Sequence, residues 1–124
     1  MTNSSVERRK KTRLQCSEGF SASKLNNGTN EFELTSINYT HDGIALFKPQ
    51  PLPDIDQFEI SFDYVLDGET VRIERLPCAI VHVHDSDEGV MYGAAFKLEE
   101  TSAKQIEDLI RIEEDIALKA SMIV

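Results

Sequence analysis

The densest chemical signal in the chain is Arg8-Arg9-Lys10-Lys11-Thr12-Arg13. A guanidinium makes paired hydrogen bonds to phosphate oxygens or to the O6 and N7 edge of guanine, and it stacks on base planes. Three arginines within six residues can therefore hold a guanine nucleotide from several sides. Taken alone, a basic cluster at a terminus is more often a solvated one. The second signal is Asn38-Tyr39-Thr40-His41-Asp42-Gly43. Here Asn offers a donor and an acceptor to a base edge, the Thr hydroxyl suits a phosphate or a base, and Gly permits close backbone approach or positive φ. The same residue types also fill ordinary β-turns, and the pattern predicts a turn from Asn38 to Gly43.

Other reactive side chains form weaker patterns. His82 and His84 alternate along one segment and share a face, but no further ligand is spaced to complete a metal site with Cys78. His41 and Asp42 could form an acid–base pair, yet the chain has no G-x-S-x-G nucleophile turn, no phosphate-cradling glycine loop and no paired carboxylates at helical spacing. The expectation is a binding protein that is not an enzyme, with no metal and no cofactor. Cys16 and Cys78 belong to no C-x-x-C pair.

Composition bounds the partners. The chain has 124 residues, enough for one domain around one core, and a formal charge of −9. That charge is uneven: the first 24 residues carry six basic side chains against Glu7 and Glu18, or +4, which leaves −13 on the rest. A cationic arm on an acidic body fits a local anion site better than a surface that coats nucleic acid, which needs many cations against phosphates. No apolar run approaches the ~20 residues that span a bilayer. No membrane association and a cytoplasmic location are expected, with both thiols reduced.

Residues 1–12 lack apolar periodicity and read as a flexible basic arm, ahead of a body from residue 13 to 124. The body carries six segments with β-rich composition separated by turn signals. They run from about Leu14 to Leu25, Glu31 to Asn38, Ile44 to Phe47, Gln57 to Val65, Thr70 to His84 and Val90 to Leu98. Pro77 predicts a bend or bulge in the fifth. In the fourth, Phe58, Ile60, Phe62 and Tyr64 fall on one face, and Asp67-Gly68 predicts a hairpin turn. Ser102 and Gln105 match a capping box, and Ile106, Leu109, Ile110, Ile116, Ala117 and Ala120 predict an amphipathic helix over about 102–120. Glu113 interrupts that stripe and Ile112 lies off it. The fold class is mainly β, a six-stranded antiparallel barrel with a C-terminal helix that covers an open end.

Taken together, Arg9-x-x-x-Arg13 followed by Asn38-x-Thr40-x-x-Gly43 resembles the PilZ family, whose signature is R-x-x-x-R and then D/N-x-S-x-x-G. Gly43-Ile44-Ala45-Leu46 is similar to the strand after the family's turn, and Tyr92-Gly93-Ala94-Ala95-Phe96 to its last strand. The resemblance implies a split-barrel PilZ-like domain that binds cyclic di-GMP as a ligand, with Arg9 and Arg13 on guanine and phosphate and with Asn38, Thr40 and Gly43 as the facing wall. Arg8 is similar to arginines that contact a second ligand molecule, so the resemblance allows two molecules per protein. It further implies an arm that orders on binding and an effector protein, not yet identified, that reads the new surface. Thr40 departs from the usual Ser, keeping the hydroxyl but stiffening χ1. Two alternatives stand beside this one: a PilZ-fold interaction module without ligand, and a single-stranded nucleic-acid binder.

Overall fold

The computed structural model describes residues 14–16, 19–53 and 57–123. The basic arm with Arg8 and Arg9, and Arg13 at the start of the body, lie outside the described residues. Seven strands follow in order: β1 (Leu14–Gln15), β2 (Ser23–Asn26), β3 (Glu31–Thr40), β4 (Gly43–Lys48), β5 (Gln57–Leu66), β6 (Glu69–Ser86) and β7 (Gly89–Phe96). A 3₁₀ turn at Leu98–Glu100 leads into helix α1 (Ala103–Ile123). The sheet order is β1-β3-β2-β5-β6-β7-β4, and β3 also pairs with β4. That last pairing closes a six-stranded antiparallel barrel, with β1 added along β3.

The barrel closes around an interior filled largely by alternate apolar residues of its strands. In β5 the expected face is the one that turns inward: Phe58, Ile60, Phe62 and Tyr64 are all buried. Asp67 and Gly68 both take positive φ, 53° and 83°, as a two-residue hairpin turn with the twist of its strands requires. All three tyrosines of the chain are buried with their hydroxyls used. Tyr92 accepts the backbone N–H of Leu52 at 2.7 Å, which holds the proline-rich connection after β4 against the barrel.

The first segment differs from the expected continuous strand. The chain pairs with β3 at Leu14–Gln15, bridges to β5 through Phe20 and Tyr64, and only then enters β2. The break has a packing cause, since the Phe20 ring enters the gap between β3 and β5. It lies 5.3 Å from the Tyr39 ring, 5.7 Å from Phe62 and 4.9 Å from Tyr64. The bend expected at Pro77 is also displaced, for Pro77 pairs regularly with Glu59. The irregularities of β6 fall on either side of it: opposite Ser61, where Arg75 has φ 51°, and between Ile80 and His82. Each inserts an extra residue and bends the strand around the barrel.

Helix α1 lies across the end where β3, β5 and β7 finish. Ser102 caps it, accepting the N–H of Gln105 at 3.2 Å. The Gln105 side chain does not complete a capping box. It accepts from Glu74 N–H and donates to Glu74 C=O, satisfying the backbone at the Arg75 irregularity. The buried stripe is Leu109, Ile112 and Ile116, whereas Ile110, Ala117 and Ala120 are exposed. The expected stripe was thus rotated, because Gln105, Glu113 and Asp115 face the barrel to make polar contacts. Tyr39 donates to the Leu109 carbonyl and Tyr64 to the Asp115 carboxylate, each at 2.7 Å. Burial would raise the Asp115 carboxyl, but the bonds from Tyr64 and Lys119 bring it below its usual range.

Burial pushes the Cys16 and Cys78 thiols up to about 12 from an ordinary 9.0. Between those values the unfolded chain releases the two protons and the folded chain keeps them, so stability falls as pH rises through this window and is unaffected below it. The urea midpoint should therefore stay level up to about pH 9 and then decline. Cys78→Ala, less stable throughout from the cavity, should show a shallower decline, and equal slopes would contradict the assignment.

Candidate functional site

The site is built by the alternation of β3. Tyr39 points inward, is fully buried and is fixed by its bond to Leu109, so its neighbours Asn38 and Thr40 must face outward. Both are strand residues, which corrects the expected turn from Asn38 to Gly43. Only His41 and Asp42 form the turn. An irregularity between Ser36 and Asn38 sets this register, and it accounts for the imperfect alternation of the preceding residues.

Residues paired across antiparallel strands share a face, so the ladder identifies the rest of the wall. Asn38 pairs with Ala45, Ala45 with Gly93, and Gly93 with His82, forming one row across β3, β4, β7 and β6. Thr40, Gly43 and Ala95 form the next row. These two rows line an open groove of about 600 Å³ on the outside of the barrel, bounded also by Asp42, Val81 and Met91. Its floor is made of Gly43, Ala45, Gly93 and Ala95, flat because none carries more than a methyl group. A methyl on Gly43 would stand 2.9 Å from the Ala94 carbonyl oxygen, so this glycine is required by close backbone approach, its φ being ordinary.

The polar rim has a definite hydrogen-bond state. Asn38 Oδ1 is buried and has no hydrogen-bond partner among the described residues. Thr40 Oγ1 donates to Asp42 Oδ1 at 2.7 Å, and Phe96 N–H donates to the Asp42 carbonyl at 3.0 Å. Glu113 on α1 accepts both the backbone N–H and the Nδ1 of His41, the latter at 2.8 Å. His41 is therefore turned to the helix and does not pair with Asp42 in the groove. Leu14 and Gln15 pair with Tyr39 and Asn38 on the β3 edge opposite β4, which brings the start of the described chain to the groove rim.

Of the expected site residues, Asn38, Thr40 and Gly43 are brought together, while Arg8, Arg9 and Arg13 lie outside the described residues. His82 joins the groove and His84 sits one row on, opposite Met91. Cys78 is inside the barrel, on the other side of the sheet wall from His82, so the three do not converge. Among the described residues no group of three or more His, Cys, Asp or Glu is placed to hold a metal ion. Of the floor residues only Gly43 was recognised as a site component in the sequence; Ala45, Gly93, Ala95 and the Asp42 rim were not.

No family model matches the sequence, and no curated protein matches it. Solved structures do. The Bacillus subtilis inhibitor of motility MotI/DgrA superposes with TM-score 0.71 at 13% identity over 90% of this chain. The PilZ domain of YcgR from Escherichia coli, with cyclic di-GMP, superposes with TM-score 0.62 at 11% identity over 91% of this chain and 94% of that one. This chain has the PilZ fold. Borreliella burgdorferi PlzA, in complex with cyclic di-GMP, matches with TM-score 0.61 at 11% identity over 94% of this chain. The chain spans about half the length of MotI and PlzA, 53% and 55%. On this PilZ barrel the groove lies outside the β3–β4–β7–β6 wall, and no described helix is long and apolar enough to cross a membrane.

The Glu113 bonds fix the turn between the two rim strands to the helix. Glu113→Ala should cost about 1 kcal/mol by urea unfolding, because the part-buried His41 N–H loses its acceptor. Glu113→Gln keeps an acceptor and should recover most of that loss, whereas equal losses would show that the contact is packing alone.

Proposed function

We propose that this chain is a receptor for cyclic di-GMP that binds the dinucleotide over the β3–β4–β7–β6 groove and passes the signal to a partner protein. The observation that carries the reading is the pairing of Leu14 and Gln15 with Tyr39 and Asn38. Arg13 is joined directly to Leu14, and each residue spans at most ~3.6 Å, so the arginines need little chain to reach the Asn38–Thr40 rim. Had the leader begun on the far side of the barrel, no such closure would be available.

In this reading Arg9 and Arg13 grip phosphate and guanine, Arg8 serves a second ligand molecule, and Asn38, Thr40 and Gly43 form the opposing wall. The flat floor admits a purine ring, and the Asn38 oxygen, without a partner among the described residues, offers it an acceptor. Residues 1–12 then act as an arm that orders over the ligand, its entropy cost offset by charge-assisted hydrogen bonds. Residues 13–124 form the body that presents the result. The chemistry is binding without catalysis, and the outcome is a changed surface for the effector. Two of the structures with this fold hold the same ligand, which supports the reading. Single-strand binding is less well supported, since Tyr39, Tyr64, Tyr92, Phe58, Phe62 and Phe96 are all buried and Phe20, Phe32 and Phe47 are only partly exposed, whereas base stacking needs open rings.

Isothermal titration with cyclic di-GMP should give saturable heat in the wild type. Arg13→Ala should abolish it, and Asn38→Ala should weaken binding by at least about fivefold through loss of a buried acceptor. A flat wild-type titration beside a stable partner in a pull-down would replace this reading with a docking module.

A further inference from the structure

The two ends of the groove differ. Asn38 and Thr40 stand at the β3 end, where Leu14 and Gln15 also pair, so Arg13, joined to Leu14, is tethered beside that end. His82 stands at the β6 end. The row Asn38, Ala45, Gly93, His82 crosses four strands, and at ~4.8 Å per strand its ends lie on the order of 14 Å apart. Among the described residues that line the groove, His82 alone can carry a positive charge.

Two features of the backbone place it there. The ladder between β6 and β7 shifts register between Ile80 and His82 and leaves Val81 as an extra residue. In a regular ladder Val81 would stand opposite Gly93, and His82 opposite Tyr92, whose side chain is buried in the barrel. The bulge exchanges them and turns the imidazole to the outer face, for bulges re-aim side chains. Gly93 then leaves it room, since a methyl group there would stand 3.1 Å from the His82 Cβ.

Few ionisable groups share this surface. β7 brings Gly93 and Met91 to it, β4 Ala45 and β3 Asn38, while β5 pairs with β6 no further than Gln57 and Ala79. The charged or titratable groups described nearby are Asp42 across the groove and, on the same strand, His84 and Asp85. An imidazole changes charge between roughly pH 5 and 8. Neutral, it donates one hydrogen bond; protonated, it donates two and adds a charge.

We propose that His82 is a ligand-contacting residue at the end of the groove away from the leader, and that its protonation tightens the hold on the anionic dinucleotide. The proposal rests on the groove being the cyclic dinucleotide site.

The test is titration of the full chain with cyclic di-GMP at about pH 5.5 and about pH 8, which span the imidazole range. The wild type should bind at least about threefold more tightly at the lower pH, the scale of one exposed ion pair. His82→Gln, a neutral donor at an exposed position, should bind equally at both, while His84→Gln and His41→Gln should keep the difference. A His82→Gln protein that keeps the wild-type ratio, whatever its affinity, would overturn the assignment and leave the ring as a packing surface at most. A wild type that binds equally at both pH values, or more tightly at the higher, would also overturn it while leaving the dinucleotide reading intact. Binding at neither would remove both.

Discussion

The hydrogen bond from the Tyr39 hydroxyl to the Leu109 carbonyl is the contact on which the rest of the molecule turns. Tyr39 is fully buried among the Phe20, Phe62 and Phe96 rings, so its side of β3 is committed to the core. Strand geometry leaves no choice for its neighbours: with Tyr39 inside, Asn38 and Thr40 are outside, and a one-residue slip would exchange them. The same side chain joins the barrel to α1. One buried group therefore closes the core, docks the helix and orients the rim of the groove.

The helix strengthens that arrangement through a series of polar contacts along one face. Gln105 holds the irregular backbone at Glu74, Tyr39 reaches Leu109, Glu113 holds the His41 turn, and Asp115 accepts from Tyr64. Between them Leu109, Ile112 and Ile116 bury apolar surface against the barrel end, each worth about 1.5–3 kcal/mol before entropy is counted. Because Glu113 touches the turn that joins the two rim strands, the groove and the helix are mechanically linked. A displacement of Asp42 or Gly43 would be felt at α1 through His41.

The features legible in the sequence were those set by local chemistry. Phe58, Ile60, Phe62 and Tyr64 alternate cleanly because β5 runs beside two neighbours and faces one core, and the Asp67-Gly68 turn is fixed by backbone preference alone. The Ser102 cap is likewise local. What failed depended on tertiary partners. Nothing near Phe20 announces that its ring enters a gap between strands distant in sequence. Asn38 and Thr40 look like turn residues because the side chains that suit a turn also suit a polar rim, and only the burial of Tyr39 separates the two. Ile112 lay off the expected stripe because Glu113, an apparent interruption, faces the barrel for a polar reason. The floor escaped notice for the opposite cause: Ala45, Gly93 and Ala95 have no chemistry of their own and matter by being small in register with one another.

The charge distribution explains why such a groove would need help from outside its walls. Beyond the first 24 residues the chain carries −13, and the rim itself adds the Asp42 carboxylate and acceptor oxygens. The doubly anionic ligand of the proposed function would meet repulsion there over roughly a Debye length, about 8 Å at physiological salt. On the proposed reading, shape and base-edge contacts would select the ligand there without neutralising its phosphates. On that reading the +4 of the leader would be the counterweight, and β1 begins on the edge of β3. Selection would then fall, on the proposed reading, to the wall that the core fixes, and charge compensation to the basic residues of the leader.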